Sequence, residues 1–254
     1  MSGYDAAPVT VSLKNINFSF PGTSRPAMSD VSFELLSGNS MALIGPSGAG
    51  KTTLANIVMG FLVPDSGEVS INGQLPVDFI AGNPGAIGYV PQFPNLIRGS
   101  LAANIALGVP SSQIDEAWLI QVIRISQLQD WFDTLAEGLA TEINSKSLSG
   151  GQIQRIGIAR ALYTKPHFLI MDEPTGSLDG QTEKALTQAL IAASNGLTTL
   201  TIAHRLSTIE SSDSVAYLVE GRIRGIGTLE GLRKANEDVE KLAQQFTLYG
   251  NQSS

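Results

Sequence analysis

The residues Gly45-Pro46-Ser47-Gly48-Ala49-Gly50-Lys51-Thr52 fit the spacing G-x-x-x-x-G-K-[ST] and stand between an apolar strand pattern and the start of a helix. Glycines at such a junction let backbone N–H groups turn inward around phosphate oxygens, and the helix start adds its partial positive charge. Lys51 then offers a point charge to the β and γ phosphates, the Thr52 hydroxyl offers a ligand to Mg²⁺, and Thr53 follows in the same turn. The plain alternative is a Gly-rich turn with an incidental lysine. It leaves the strand before and the helix after unexplained.

A second constellation closes an apolar run, Phe168-Leu169-Ile170-Met171-Asp172-Glu173. Ligands of open α/β sheets bind at the carboxyl ends of strands, so two carboxylates there face the same place as the phosphate loop. Asp172 is expected to hold Mg²⁺, and Glu173 to polarise an attacking water as general base. By itself an apolar run ending in acids is a common surface pattern; beside a phosphate loop it becomes a hydrolytic pair.

Elements that could position these groups are legible from periodicity. Residues 9–20 alternate as a half-buried strand with a break near Asn15, and residues 31–36 and 40–44 read as strands joined by Ser37-Gly38-Asn39. Residues 51–60 read as a helix, and 68–71 with Asn72-Gly73 as one arm of a hairpin. A strand at 86–90 gives way to helical pieces at 100–107, 112–126 and 130–135, then to a longer helix over 150–163. The run 167–171 suits a strand buried on both faces. A helix at 181–193, a strand at 198–203, a hairpin of 215–219 with 222–226 about Glu220-Gly221, and an amphipathic helix presenting Val239, Leu242, Ala243 and Phe246 complete the chain. Strands alternating with helices imply an α/β domain with a largely parallel sheet.

Composition narrows the function. The 254 residues carry 16 Lys plus Arg against 23 Asp plus Glu, a net charge of −7, which argues against nucleic-acid binding through the chain's own charge. The absence of cysteine removes disulfides, zinc ribbons and thiol catalysis together. No stretch approaches the roughly 18 apolar residues of a membrane span, so direct membrane insertion is not expected. Residues 1–8 lack the basic cluster and apolar core of a signal peptide and are expected to be a loose leader, as 249–254 are a loose tail.

The segment Leu148-Ser149-Gly150-Gly151-Gln152, continuing Ile153-Gln154-Arg155-Ile156-Gly157-Ile158-Ala159-Arg160-Ala161-Leu162, resembles the signature of ATP-binding cassette (ABC) transporter ATPases, and the resemblance runs from Val9 to about Phe246. It implies a P-loop NTPase fold: a nucleotide-binding core over 9–91 and 165–248 with an antiparallel β subdomain, and an inserted helical subdomain over 92–164. It further implies that Gln92 senses Mg²⁺ and the γ-phosphate while facing a membrane partner, and that Asp179, in Ser177-Leu178-Asp179, faces a second subunit. By the same resemblance His204 contacts the γ-phosphate, Phe20 stacks on adenine, and the Ser149 to Gln152 turn serves the ATP of the opposing chain. Two chains, as a homodimer, would then close head to tail around two Mg-ATP.

Tyr89-Val90-Pro91-Gln92, Gly99-Ser100-Leu101-Ala102-Ala103-Asn104-Ile105 and Ile202-Ala203-His204-Arg205-Leu206-Ser207-Thr208-Ile209 resemble exporter-type cassettes. Two stretches depart from that type: Glu173-Pro174-Thr175-Gly176-Ser177 is closer to importers, and the segment 141–147 is shorter than the exporter loop and lacks its paired glycines. The expectation is an ATP-hydrolysing motor at the cytoplasmic face of a membrane, attached to or fused with transmembrane domains. The alternative is a non-transport cassette acting as a nucleotide-gated switch or on DNA or ribosomes.

Overall fold

The computed structural model describes residues 4–144, 146–172, 182, 185–186, 188–190 and 194–251. Its strands are β1 (Tyr4–Asp5), β2 (Val11–Phe18), β3 (Met28–Leu35), β4 (Ser40–Ile44), β5 (Ser66–Ile71), β6 (Ile87–Val90), β7 (Gly99–Ser100), β8 (Glu142–Ile143), β9 (Phe168–Asp172), β10 (Ser194–Asn195), β11 (Thr198–Ile202), β12 (Ser214–Val219) and β13 (Arg222–Gly227). Six of them form one sheet in the order β13-β12-β4-β11-β9-β6, parallel throughout except for the antiparallel edge strand β13. Three more, β3-β2-β5, form a separate antiparallel sheet.

Alternate residues of β9 explain why its sequence is apolar without a break. Phe168 and Ile170 point into a cluster shared with the helix Lys51–Val58 and the antiparallel sheet. Leu169 and Met171 point the other way, into a cluster shared with the helices Leu101–Ile105, Glu116–Ile125 and Gly150–Tyr163. A third cluster lies under the C-terminal helix Glu237–Asn251, where Val239 and Phe246 meet Ile44, Ala203 and Tyr217. No helix among the described residues is long and apolar enough to cross a membrane.

The break near Asn15 is a bulge. Asn15 adopts φ 53, a conformation asparagine tolerates better than most, and the β2–β3 register shifts between Leu13 and Ile16. Asp30 accepts from the Asn15 side-chain amide at 2.7 Å and holds the turn.

Three expectations are corrected. Asn72-Gly73 does turn the chain, but only Gln74 bridges back to Ile71; β5 finds its partner in β2 instead, and a helix, Pro76–Gly82, follows. The leader is not loose along its length, because Tyr4–Asp5 pairs in parallel with Ser194–Asn195 and Ala7 N–H donates to His167 Nδ1. At the other end the last helix continues to Asn251, into the stretch expected as a tail. The helix anticipated at 181–193 lies largely outside the described residues.

Candidate nucleotide site

Four neighbouring strands of the sheet end on the same edge, in the order β4, β11, β9, β6. Register places Leu43 and Asp172 both opposite Ile202, and Val90 opposite Met171. From these ends the chain runs into Gly45 after β4, His204 after β11, Asp172 at the close of β9 and Gln92 after β6. Parallel strands about 4.8 Å apart thus bring four distant stretches of sequence to one edge.

The phosphate loop leaves β4 through Gly45, at φ 153, and enters its helix through Gly50, at φ 102. A Cβ on Gly45 would run into the Leu218 carbonyl oxygen, and one on Gly50 would run into Met28 Cε. The loop is therefore seated against β12 and the start of β3. Gly221 N–H donates to the Ala49 carbonyl at 3.0 Å, and Ser29 N–H donates to the Gly221 carbonyl at 2.8 Å. Pro46, Ser47 and Gly48 form the exposed rim. Lys51 lies across the loop, its Nζ donating to the Gly45 carbonyl at 2.9 Å and the Pro46 carbonyl at 3.0 Å.

The Thr52 hydroxyl donates to Asp172 Oδ2 at 2.9 Å, joining the loop's helix to the end of β9. Asp172 is 4% exposed, a carboxylate held inside the fold. Burial, and then the Asp172 charge, hold the Tyr89 hydroxyl above the ordinary tyrosine range. A hydroxyl and a carboxylate at one point are hard oxygen donors and fit Mg²⁺, which prefers oxygen and keeps several of its waters. Gln92 is exposed just beyond β6.

His204 is half-buried, with its ring edge-to-face to Phe246 at 5.8 Å. Phe20 lies past the end of β2, its ring perpendicular to that of Phe18 at 5.0 Å, and is 43% exposed. An aromatic that open at a strand end is not core, and its exposed face is free of the packing that buries Phe18.

Ser149, Gly150, Gly151 and Gln152 stand at the start of the helix Gly150–Tyr163, on the helical lobe, with Ser149 and Gly150 exposed. The turn is a capping box: Ser149 Oγ accepts from Gln152 N–H at 3.2 Å, and Gln152 Oε1 accepts from Ser149 N–H at 2.8 Å. Gln152, expected to meet nucleotide, thus spends its side-chain carbonyl on fixing the turn. Glu173 and Asp179 lie outside the described residues. Sequence reasoning missed the groups that seat the loop, Leu218, Gly221 and Met28; the only signal was the Glu220-Gly221 turn.

The ABC transporter family profile matches residues 28–176. An ATP-dependent lipid A-core flippase of Cupriavidus metallidurans is 42% identical over 219 residues, covering 84% of this chain and 37% of that protein. A sophorolipid transporter of Starmerella bombicola is 36% identical over 253 residues, covering 92% of this chain and 19% of that one. Among solved structures, a bacterial Atm1-family ABC exporter with ATP bound superposes with a TM-score of 0.84 at 32% identity, covering 96% of this chain and 43% of that one. The chain spans less than half the length of each of these relatives. With the loop, Asp172 at the strand end and the signature turn all in place, the chain belongs to the ABC transporter family, as an exporter-type ATP-binding cassette domain.

Proposed function

We propose that this domain binds and hydrolyses ATP to power export by transmembrane domains, working at the cytoplasmic face of the membrane as one half of a head-to-tail pair. The observation that carries the reading is the Thr52–Asp172 contact beneath the phosphate loop, on the edge where the strands leading to Gln92 and His204 also end. Lys51, swung from the loop carbonyls, neutralises the β and γ phosphates, and Phe20 offers its face to the base. Thr52, Asp172 and Gln92 would hold Mg²⁺, which offsets the charge gathering on the phosphates when bound. Glu173 takes a proton from the attacking water, and His204 orients the γ-phosphate. Residues 92–164 form the helical subdomain of this reading. Its Ser149 turn offers N–H groups and a helix start to the γ-phosphate held by the second copy, so the same patch is used twice about a two-fold axis.

The decisive variant is Glu173→Gln, which keeps shape but removes the base. Hydrolysis is expected to fall about a hundredfold or more while ATP binding survives. The protein should then elute as a dimer with ATP and as a monomer with ADP, in chromatography with light scattering. Adding Ser149→Arg should abolish the dimer and leave monomer binding intact. A double variant that still dimerises with ATP refutes the shared site, and Lys51→Ala binding ATP as tightly as the parent refutes the cradle.

A further inference from the structure

One stripe of the helix Gly150–Tyr163 is committed to a segment far from it in sequence. Gln154 Nε2 donates to the Pro91 carbonyl at a long 3.5 Å. One turn on, a Cβ at Gly157 would lie 2.6 Å from Pro94 Cγ and 2.8 Å from Pro94 Cβ, a contact that only glycine allows without displacement. Another turn on, Arg160 Nε donates to the Asn104 carbonyl at 2.7 Å and its Nη1 to the Asn95 carbonyl at 2.9 Å. The spacing of three residues keeps all three contacts on one helix face.

The segment so held is itself closed into a loop. Asn104, fully buried, accepts from Ile97 N–H at 2.9 Å through Oδ1 and donates from Nδ2 to the carbonyls of Ile97 at 3.0 Å and Ser100 at 3.1 Å. One guanidinium thus grips both ends of a ring whose middle is pinned by one asparagine. A planar fork with donors in fixed directions can bridge two carbonyls in this way, whereas an ammonium is a single point.

We infer that Arg160 is a positioning residue that fastens the strap from Pro91 to Asn104 onto the signature helix, so that the strap and the Ser149 turn move as one body. Resting on the ATP-driven function proposed for this site, displacement of the strap next to Gln92 then reaches the Ser149 turn along about 16 Å of helix, without passing through the sheet. The strap is the part of the chain that leaves the nucleotide edge, and the turn is the part offered to the second copy. Their attachment to one helix makes the two events a single movement.

The test reads amide hydrogen exchange residue by residue, by NMR on the full chain without nucleotide, so its outcome does not depend on hydrolysis or dimerisation. The reporters are the Ile97 amide on the strap, the Gln152 amide at the turn, and the Leu54 amide, bonded to the Gly50 carbonyl at 2.9 Å, as the control at the phosphate loop. Arg160→Met should raise exchange at Ile97 and Gln152 together, by about tenfold or more, and leave Leu54 within about twofold. Because the chain holds no cysteine, Pro94→Cys with Gly157→Cys in the same background can form only one intramolecular disulfide, at the cost of about 1 Å of separation. Oxidation should return both amides to their parent rates, and reduction should release them again. Loosening of Ile97 without Gln152 shows two independent bodies and overturns the inference. No change at either amide removes Arg160 as the fastener, and equal loosening of Leu54 means that the arginine only stabilises the fold. If the methionine variant does not fold, Arg160→Lys is followed at the same three amides, with an expected rise of about threefold at Ile97 and Gln152, and the same outcomes support or overturn the inference.

Discussion

The Thr52 hydroxyl donates to the Asp172 carboxylate across 120 positions of sequence, at 2.9 Å. Each group orients the other: the threonine sits on the first turn of the phosphate-loop helix, and the aspartate closes a strand buried on both faces. Asp172→Asn keeps an oxygen to accept this bond but loses the charge. ATP binding measured without Mg²⁺ should change little, while the Mg²⁺ concentration for half-maximal hydrolysis should rise at least about tenfold, equivalent to ~1.4 kcal/mol. An unchanged Mg²⁺ dependence would remove Asp172 from the metal site.

Two glycines of the same loop should respond differently to alanine. At Gly45 the new methyl meets the Leu218 carbonyl oxygen, which is backbone and cannot step aside; at Gly48, φ 75, nothing lies within 4 Å. Gly48→Ala is expected to cost only the left-handed conformation, about 1–2 kcal/mol. Gly45→Ala should cost on the order of 3 kcal/mol or more. In thermal unfolding the difference is a drop of roughly 2–8 °C against one of about 6 °C or more. Equal drops would mean that the loop is not seated on β12.

Phe20→Ala should weaken ATP and GTP alike, by about tenfold, because a ring face stacks on either purine without reading its edge. Titration calorimetry with both nucleotides measures this. A loss confined to ATP would reveal a group that reads adenine.

The C-terminal helix should loosen in acid. Hydrogen bonds from Arg233 first, and from Gln244 second, hold the Glu240 carboxylate below the ordinary glutamate range. A depressed folded-state pKa contributes stability that is present above the unfolded value, about 4.3, and is lost as pH falls through the folded value. Unfolding curves of the parent and of Glu240→Gln should therefore differ at neutral pH, draw together as pH falls below about 4.3, and converge once the folded value is passed. A constant difference across that range would assign Glu240 no such role.

Legibility followed the range of each signal. The phosphate loop and the helix Gly150–Tyr163 are written in contiguous residues, the latter with its Ser149 cap and Gln152 three positions on, and the helix begins and ends where the sequence indicated. The turn at Glu220-Gly221 was equally plain, with φ 50 and 71 in the structure. The hairpin about that turn formed as read, but pairing between more distant strands was not legible. Asn72-Gly73 is a hairpin signal, yet β5 joins β2, because the face of β2 already offered apolar partners at Val11 and Leu13. The helix Leu229–Ala235 had a readable start, since Thr228 Oγ1 accepts from Gly231 N–H, but its brevity hid it. The buttress of Gly221 on Ala49 and the contact of Gly157 with Pro94 join residues that share no local pattern, so no spacing announces them.

The central position of β4 has a consequence for the chain as it is made. This strand carries the phosphate loop, yet both of its neighbours in the sheet, β11 and β12, lie more than 150 residues later. At roughly 5–20 residues per second, a ribosome needs on the order of 8–30 s to deliver them. During that interval Met41, Ala42, Leu43 and Ile44, all buried in the finished sheet, have no strand to pair with. The nascent chain therefore carries an apolar edge open to wrong partners throughout that interval, and its yield rests on how well the edge is sheltered until β11 and β12 arrive.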